Sequence, residues 1–119
     1  MNPLGNMRRW FQRATGDFSR ARERWCRPRV QLELVAERPR KLRRRRLYVS
    51  LQAGAPAFGT MLCPCGCGET LNLRFFGNRR PRWSVAWDRE ARPTVRPSIW
   101  RRTGCGSHFN LVRGRVLWC

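Results

Sequence analysis

Apolar residues recur along this chain with two different periods, and the change falls near residue 30. Before it, Trp10, Phe11, Ala14, Phe18, Ala21 and Trp25 repeat at helical spacing, with Arg8, Arg9, Arg13, Arg20, Arg22 and Arg24 between them. This spacing predicts a basic, amphipathic helical arm over residues 1–29. Gly16-Asp17 offers a break at which Asp17 caps a second half, and Pro28 ends the segment. The simpler reading packs this arm on the rest of the chain with its arginines in water. The sharper one docks it on a membrane or an acidic partner.

From residue 30 the period shortens to two. Val30, Leu32 and Leu34 alternate with polar residues, as do Leu47, Val49 and Leu51, then Leu71, Leu73 and Phe75, then Trp83, Val85 and Trp87. Alternation of this kind predicts half-buried strands. "HFNLVRGRVLW", residues 108–118, places two short apolar runs around Arg113-Gly114, the clearest hairpin signal in the chain. "RPRKLRRRR" (38–46) predicts a long exposed connection or a frayed hairpin end, and "REARPTVRP" (89–97) predicts irregular backbone. No helical pattern separates the strands, so all of them are compatible with antiparallel pairing. The expected fold is mainly β: a small antiparallel, zinc-stabilised domain over residues 30–119 behind the helical arm of residues 1–29.

Charge changes the picture next. The 119 residues carry 26 Lys+Arg against 7 Asp+Glu, a formal charge of +19, and every basic residue except Lys41 is arginine. Such a field attracts nucleic acid, acidic membrane or acidic protein, without specifying which. Arginine and aromatic residues interleave at "RRW", "RRPRW" and "SIWRR", a mixture suited to neutralising phosphate and stacking bases. No apolar run reaches the ~20 residues of a transmembrane span. The arginine-rich start lacks the apolar core of an export signal, which predicts a cytoplasmic protein.

Six cysteines without an export signal point to metal or reactive thiols rather than to disulfides. Cys63, Cys65 and Cys67 crowd into "CPCGCGE", where Pro64, Gly66 and Gly68 allow a tight turn with converging sulfurs. "CGSH" supplies Cys105 and His108, the single histidine, at C-x-x-H spacing. These five residues offer more than the four ligands of a tetrahedral site. Cys105 and His108 with two of Cys63, Cys65 and Cys67 are therefore expected to bind one Zn²⁺, leaving one thiol spare. Cys26 and Cys119 stand apart, as small apolar fillers or incidental thiols. Glu69 could assist a metal-bound water in an open site, although an exposed turn carboxylate is the simpler account.

"CPCGCGETLNL", "PRWSV", "RPSIW" and "CGSHFNLVRGRVLW" together resemble a family of small bacterial proteins that share a C-P-C-G-C-G turn, a P-S-I-W stretch and a C-x-S-H-F motif. The resemblance covers about residues 45–119. It implies zinc binding through Cys63, Cys65, Cys67, Cys105 and His108, with Pro97, Ser98 and Trp100 shaping a neighbouring loop. It also implies a place beside bacterial ubiquitin-like modifiers and their activating and conjugating enzymes. The expectation drawn from it is a non-enzymatic zinc module, an adaptor that binds a ubiquitin-like or conjugating protein. The alternatives are a nucleic-acid-binding zinc protein and a zinc or thiol hydrolase using the spare cysteine.

Overall fold

A computed structural model describes residues 29–119, and these form strands, turns and coil without a helix. The helical arm expected for residues 1–29 lies outside the described residues, apart from Arg29, which is coil. Eight strands follow one another: β1 (Gln31–Leu34), β2 (Arg46–Gln52), β3 (Ala55–Leu62), β4 (Thr70–Arg74), β5 (Ser84–Trp87), β6 (Pro93–Trp100), β7 (His108–Val112) and β8 (Arg115–Trp118). They make two four-stranded sheets in the orders β1-β2-β3-β4 and β5-β6-β7-β8. No described helix is long and apolar enough to cross a membrane.

The two sheets share one core. Leu32, Leu47, Val49, Met61, Leu71 and Leu73 come from the first, and Val95, Ile99, Phe109 and Leu111 from the second. These are the inward positions of the alternating runs, and burying each aliphatic side chain stabilises the fold by about 1.5–3 kcal/mol before chain entropy is counted. Backbone bonds also join the sheets: Leu32 N–H donates to Ala91 (2.7 Å), and Trp83 N–H donates to Arg74 (2.9 Å).

Two expectations are corrected here. The domain is not wholly antiparallel, because β1 pairs with β2 in parallel, Leu32 opposite Leu47 and Leu34 opposite Val49. The arginine-rich connection over 35–45 is long enough to carry the chain back to the end from which it started. It also covers Tyr48, whose hydroxyl accepts the Arg43 N–H at 3.0 Å. Tyr48 is consequently buried although the alternation points it outward. The second correction concerns residues 93–97, which belong to β6 rather than to an irregular segment.

The terminal hairpin turns where its sequence predicts, at Arg113 and Gly114, both with positive φ (48° and 77°). Gly114 also faces β1: its carbonyl accepts the Val30 N–H at 2.7 Å, and a Cβ there would run into the Val30 carbonyl oxygen. A methyl group has no room against this backbone, and the positive φ adds a second penalty. Gly114→Ala is therefore expected to destabilise the protein by about 2–4 kcal/mol. A melting temperature equal to that of the parent protein would contradict this account of the junction.

Candidate active site and metal centre

The end of β3 and the turn after it gather the first three cysteines. Cys63 N–H donates to the Glu69 carbonyl (2.8 Å), closing the loop, and Gly66 N–H donates to the Cys63 carbonyl (3.2 Å). Gly66 takes φ 90°, which lets the chain reverse between cysteines. Cys105 reaches the same place from the β6–β7 connection, residues 101–107. The Sγ atoms of Cys63, Cys65, Cys67 and Cys105 all lie within 4.8 Å of one another. Cys63 is 3.4 Å from Cys65 and 3.7 Å from Cys105. Four thiolates about 2.3 Å from a tetrahedral ion would sit about 3.8 Å apart, so the group has the dimensions of a four-sulfur metal site.

The electrostatics point the same way. Burial pushes the Cys63 thiol up to about 12. The Ser107 hydroxyl, 3.1 Å from Cys105 Sγ, lowers Cys105 to about 6 and also lowers Cys65. Four adjacent sulfurs cannot all ionise without a cation among them, and a bound metal removes that conflict. The four cysteines could thus hold a metal ion. Glu69 does not face them as a catalytic base: its carboxylate is exposed, and it reaches Arg101 at 3.9 Å.

His108 is elsewhere. It opens β7, where Phe109 and Leu111 point into the core and His108 and Asn110 therefore point to the opposite face. Its Nε2 lies 2.9 Å from the Ser98 hydroxyl oxygen. Ser98 is brought there by an irregularity in β6. Val95 pairs with Leu111 and Ile99 with Phe109, so four steps along β6 match two along β7. The register shift between Val95 and Ile99 is a bulge-type irregularity, which re-aims the side chains of the longer strand. Ile99 stays in the core, while Ser98 and Trp100 on either side of it share the outer face with His108.

Neighbours hold this pair in place. Trp100 pairs with His108 in the ladder, and its ring stacks on the imidazole with centroids 5.0 Å apart and planes 19° from parallel. Arg102 lies over the indole, 4.7 Å from its centroid. Trp83 Nε1–H donates to the Ser98 carbonyl at 3.3 Å. Among the described residues no carboxylate forms an ion pair with His108. Strand pairing and the stacked Trp100 ring are thus what orient the His108 imidazole. Beside Ser98 an open cleft of about 680 Å³ runs between Trp83, Arg96, Pro97, Asn110 and Val112. Its lining mixes apolar residues (Trp83, Val95, Pro97, Val112) with polar ones (Arg82, Ser84, Arg96, Asn110), and Ser98 is among them.

A serine hydroxyl within hydrogen-bond reach of an imidazole is the starting geometry of acyl transfer. Sequence reasoning missed it because serines are common and Ser98 meets His108 only through sheet pairing. The available signal was the "PSIW" stretch, whose serine flanks an inward isoleucine.

The family model for the bacterial ubiquitination-like system serine protease (BubE) matches residues 34–119, and the chain belongs to that family. No curated protein and no solved structure matches the chain. Membership supports an association with bacterial ubiquitin-like systems and hence with protein partners. It overturns the expectation of a non-enzymatic adaptor, since the family is described as a protease.

Proposed function

We propose that this chain is a serine hydrolase of a bacterial ubiquitination-like system, with Ser98 as nucleophile and His108 as general base. The observation that carries the proposal is the 2.9 Å contact between Ser98 Oγ and His108 Nε2, and the family's description as a serine protease supports it. The substrate class is a peptide or isopeptide bond involving a ubiquitin-like protein, entering through the cleft beside Ser98.

With its proton on Nδ1, His108 accepts the Ser98 hydroxyl proton at Nε2 as Oγ attacks the carbonyl carbon. The O–C bond forms as the carbonyl π electrons move onto oxygen, and the tetrahedral intermediate then collapses, breaking the C–N bond while His108 passes the proton to the leaving amine. Water then cleaves the resulting ester, with His108 as base again. Trp100 acts through His108 by fixing the ring plane.

Zn²⁺ is the metal proposed for Cys63, Cys65, Cys67 and Cys105, because four thiolates suit a soft, tetrahedral ion. Four protein ligands close such a site, so its contribution is structural: it ties the β6–β7 connection to the end of β3. The direct test is covalent capture. A fluorophosphonate probe is expected to add once, on Ser98, and mass spectrometry of peptides locates the adduct. Labelling that is absent, or that survives His108→Ala undiminished, would remove the dyad.

A further inference from the structure

A second cleft, sharing no residue with the one at Ser98, lies where β1, β2 and the β5–β6 turn meet. Arg29, Arg44, Arg45, Arg46 and Arg92 line its volume of about 580 Å³, with Gln31 on one wall. The backbone fixes these positions. Gln31 pairs with Arg46, the Arg45 carbonyl accepts the Gln31 N–H at 2.9 Å, and the Leu32 bond to Ala91 brings in the turn. Asp88 secures Arg92, its Oδ2 2.7 Å from Nε. The hydrogen bond from the Arg92 backbone N–H holds the Asp88 carboxyl below its ordinary range.

Among the described residues one carboxylate lines the cleft, Glu90, which reaches Arg92 at 3.3 Å and is largely exposed. With Asp88 and Glu90 both on Arg92, five guanidinium groups face two carboxylates, an excess of three positive charges carried by Arg29, Arg44, Arg45 and Arg46. Crowding them repels, and the fold has no packing need for it, since none of the five arginines belongs to the buried core. An anion would relieve the repulsion, and Glu90 on Arg92 already displays the pairing.

We propose that this cleft docks an acidic segment of a protein partner. Guanidinium forks match carboxylates two bonds at a time. Among the described residues the lining contains no aromatic ring, whereas single-stranded nucleic acid is gripped by stacking as well as by charge. The chain's family also places it among proteins that act on proteins.

The test measures anisotropy of a fluorescein-labelled hexaglutamate peptide with the full chain at physiological salt. Arg44→Ser/Arg45→Asn is expected to weaken binding about tenfold or more, as loss of two charge-assisted contacts implies. Asparagine suits position 45, where φ is 59°. Arg79→Ser/Arg80→Ser removes the same charge from the β4–β5 connection, outside the cleft, and is expected to change affinity by less than about twofold. Ser98→Ala is expected to bind the peptide as the parent protein does, so docking and hydrolysis fail or succeed separately. Equal losses in the two double variants would overturn the site in favour of bulk charge. So would absence of peptide binding, or an oligothymidylate probe binding more tightly than the peptide through Arg44 and Arg45.

Discussion

Ser98→Ala is expected to lower hydrolysis by at least about 1,000-fold while leaving the fold intact, because loss of a nucleophile removes the covalent route altogether. The side chain is half-buried on the outer face of β6, and its hydroxyl meets His108 rather than the core. Ile99, the next residue, supplies the packing and is untouched. His108→Ala should cost a similar factor. The double variant should be no worse than either single one, since nucleophile and base act as a unit. The histidine variant also separates two chemistries. A histidine that only activates Ser98 can be lost with metal content and melting temperature retained, whereas a ligand cannot. Activity surviving in Ser98→Ala would sink the assignment, and loss of metal from His108→Ala would return the residue to the metal centre.

Removing the metal should have the largest effect on stability. A structural four-thiolate zinc contributes an apparent ~10–16 kcal/mol, against a total stability of ~5–15 kcal/mol for a domain of this size. Because both sheets share one core, a strong chelator is therefore expected to unfold the whole described β domain, read as loss of the cooperative thermal transition. Cys63→Ser should be the most damaging single substitution. It changes the one buried member of the cluster, which sits beside the core residues Met61 and Leu71. Cys105→Ser should also abolish hydrolysis, since Cys105 precedes His108 by three residues. Cobalt substitution reports the ligand set: four sulfurs give strong thiolate charge-transfer bands and a tetrahedral spectrum. A melting curve unmoved by chelation, or a cobalt site with fewer than four sulfurs, would count against this centre.

Much of the fold was legible because a half-buried strand writes itself locally, every second residue. Leu71, Leu73 and Phe75 and the 108–118 hairpin needed nothing beyond their own neighbours. Pairing partners are not written locally, which is why the parallel β1–β2 ladder was invisible. Pro93 and Pro97 concealed β6, since proline is foreign to regular strand interiors and is tolerated at a strand's start or at a bulge. The cysteines were legible as a group by chemistry alone. C-x-x-H spacing reads His108 as a ligand, whereas the alternation of β7 aims it to the face opposite Phe109, beside Ser98, and the group of converging sulfurs comprises four cysteines. Ser98 carried only the faint signal of its place in "PSIW", since its meeting with His108 depends on ladder geometry between residues ten apart in the chain.

The connection of residues 101–107 is held at both ends and in the middle. It leaves Trp100, delivers Cys105 to the other sheet's turn, and arrives at His108. Any insertion or deletion there would shift a sulfur and an imidazole together. Among related sequences this stretch should therefore keep its length while the 35–45 and 76–81 connections vary, making a seven-residue spacing the natural ruler by which to align members of the family.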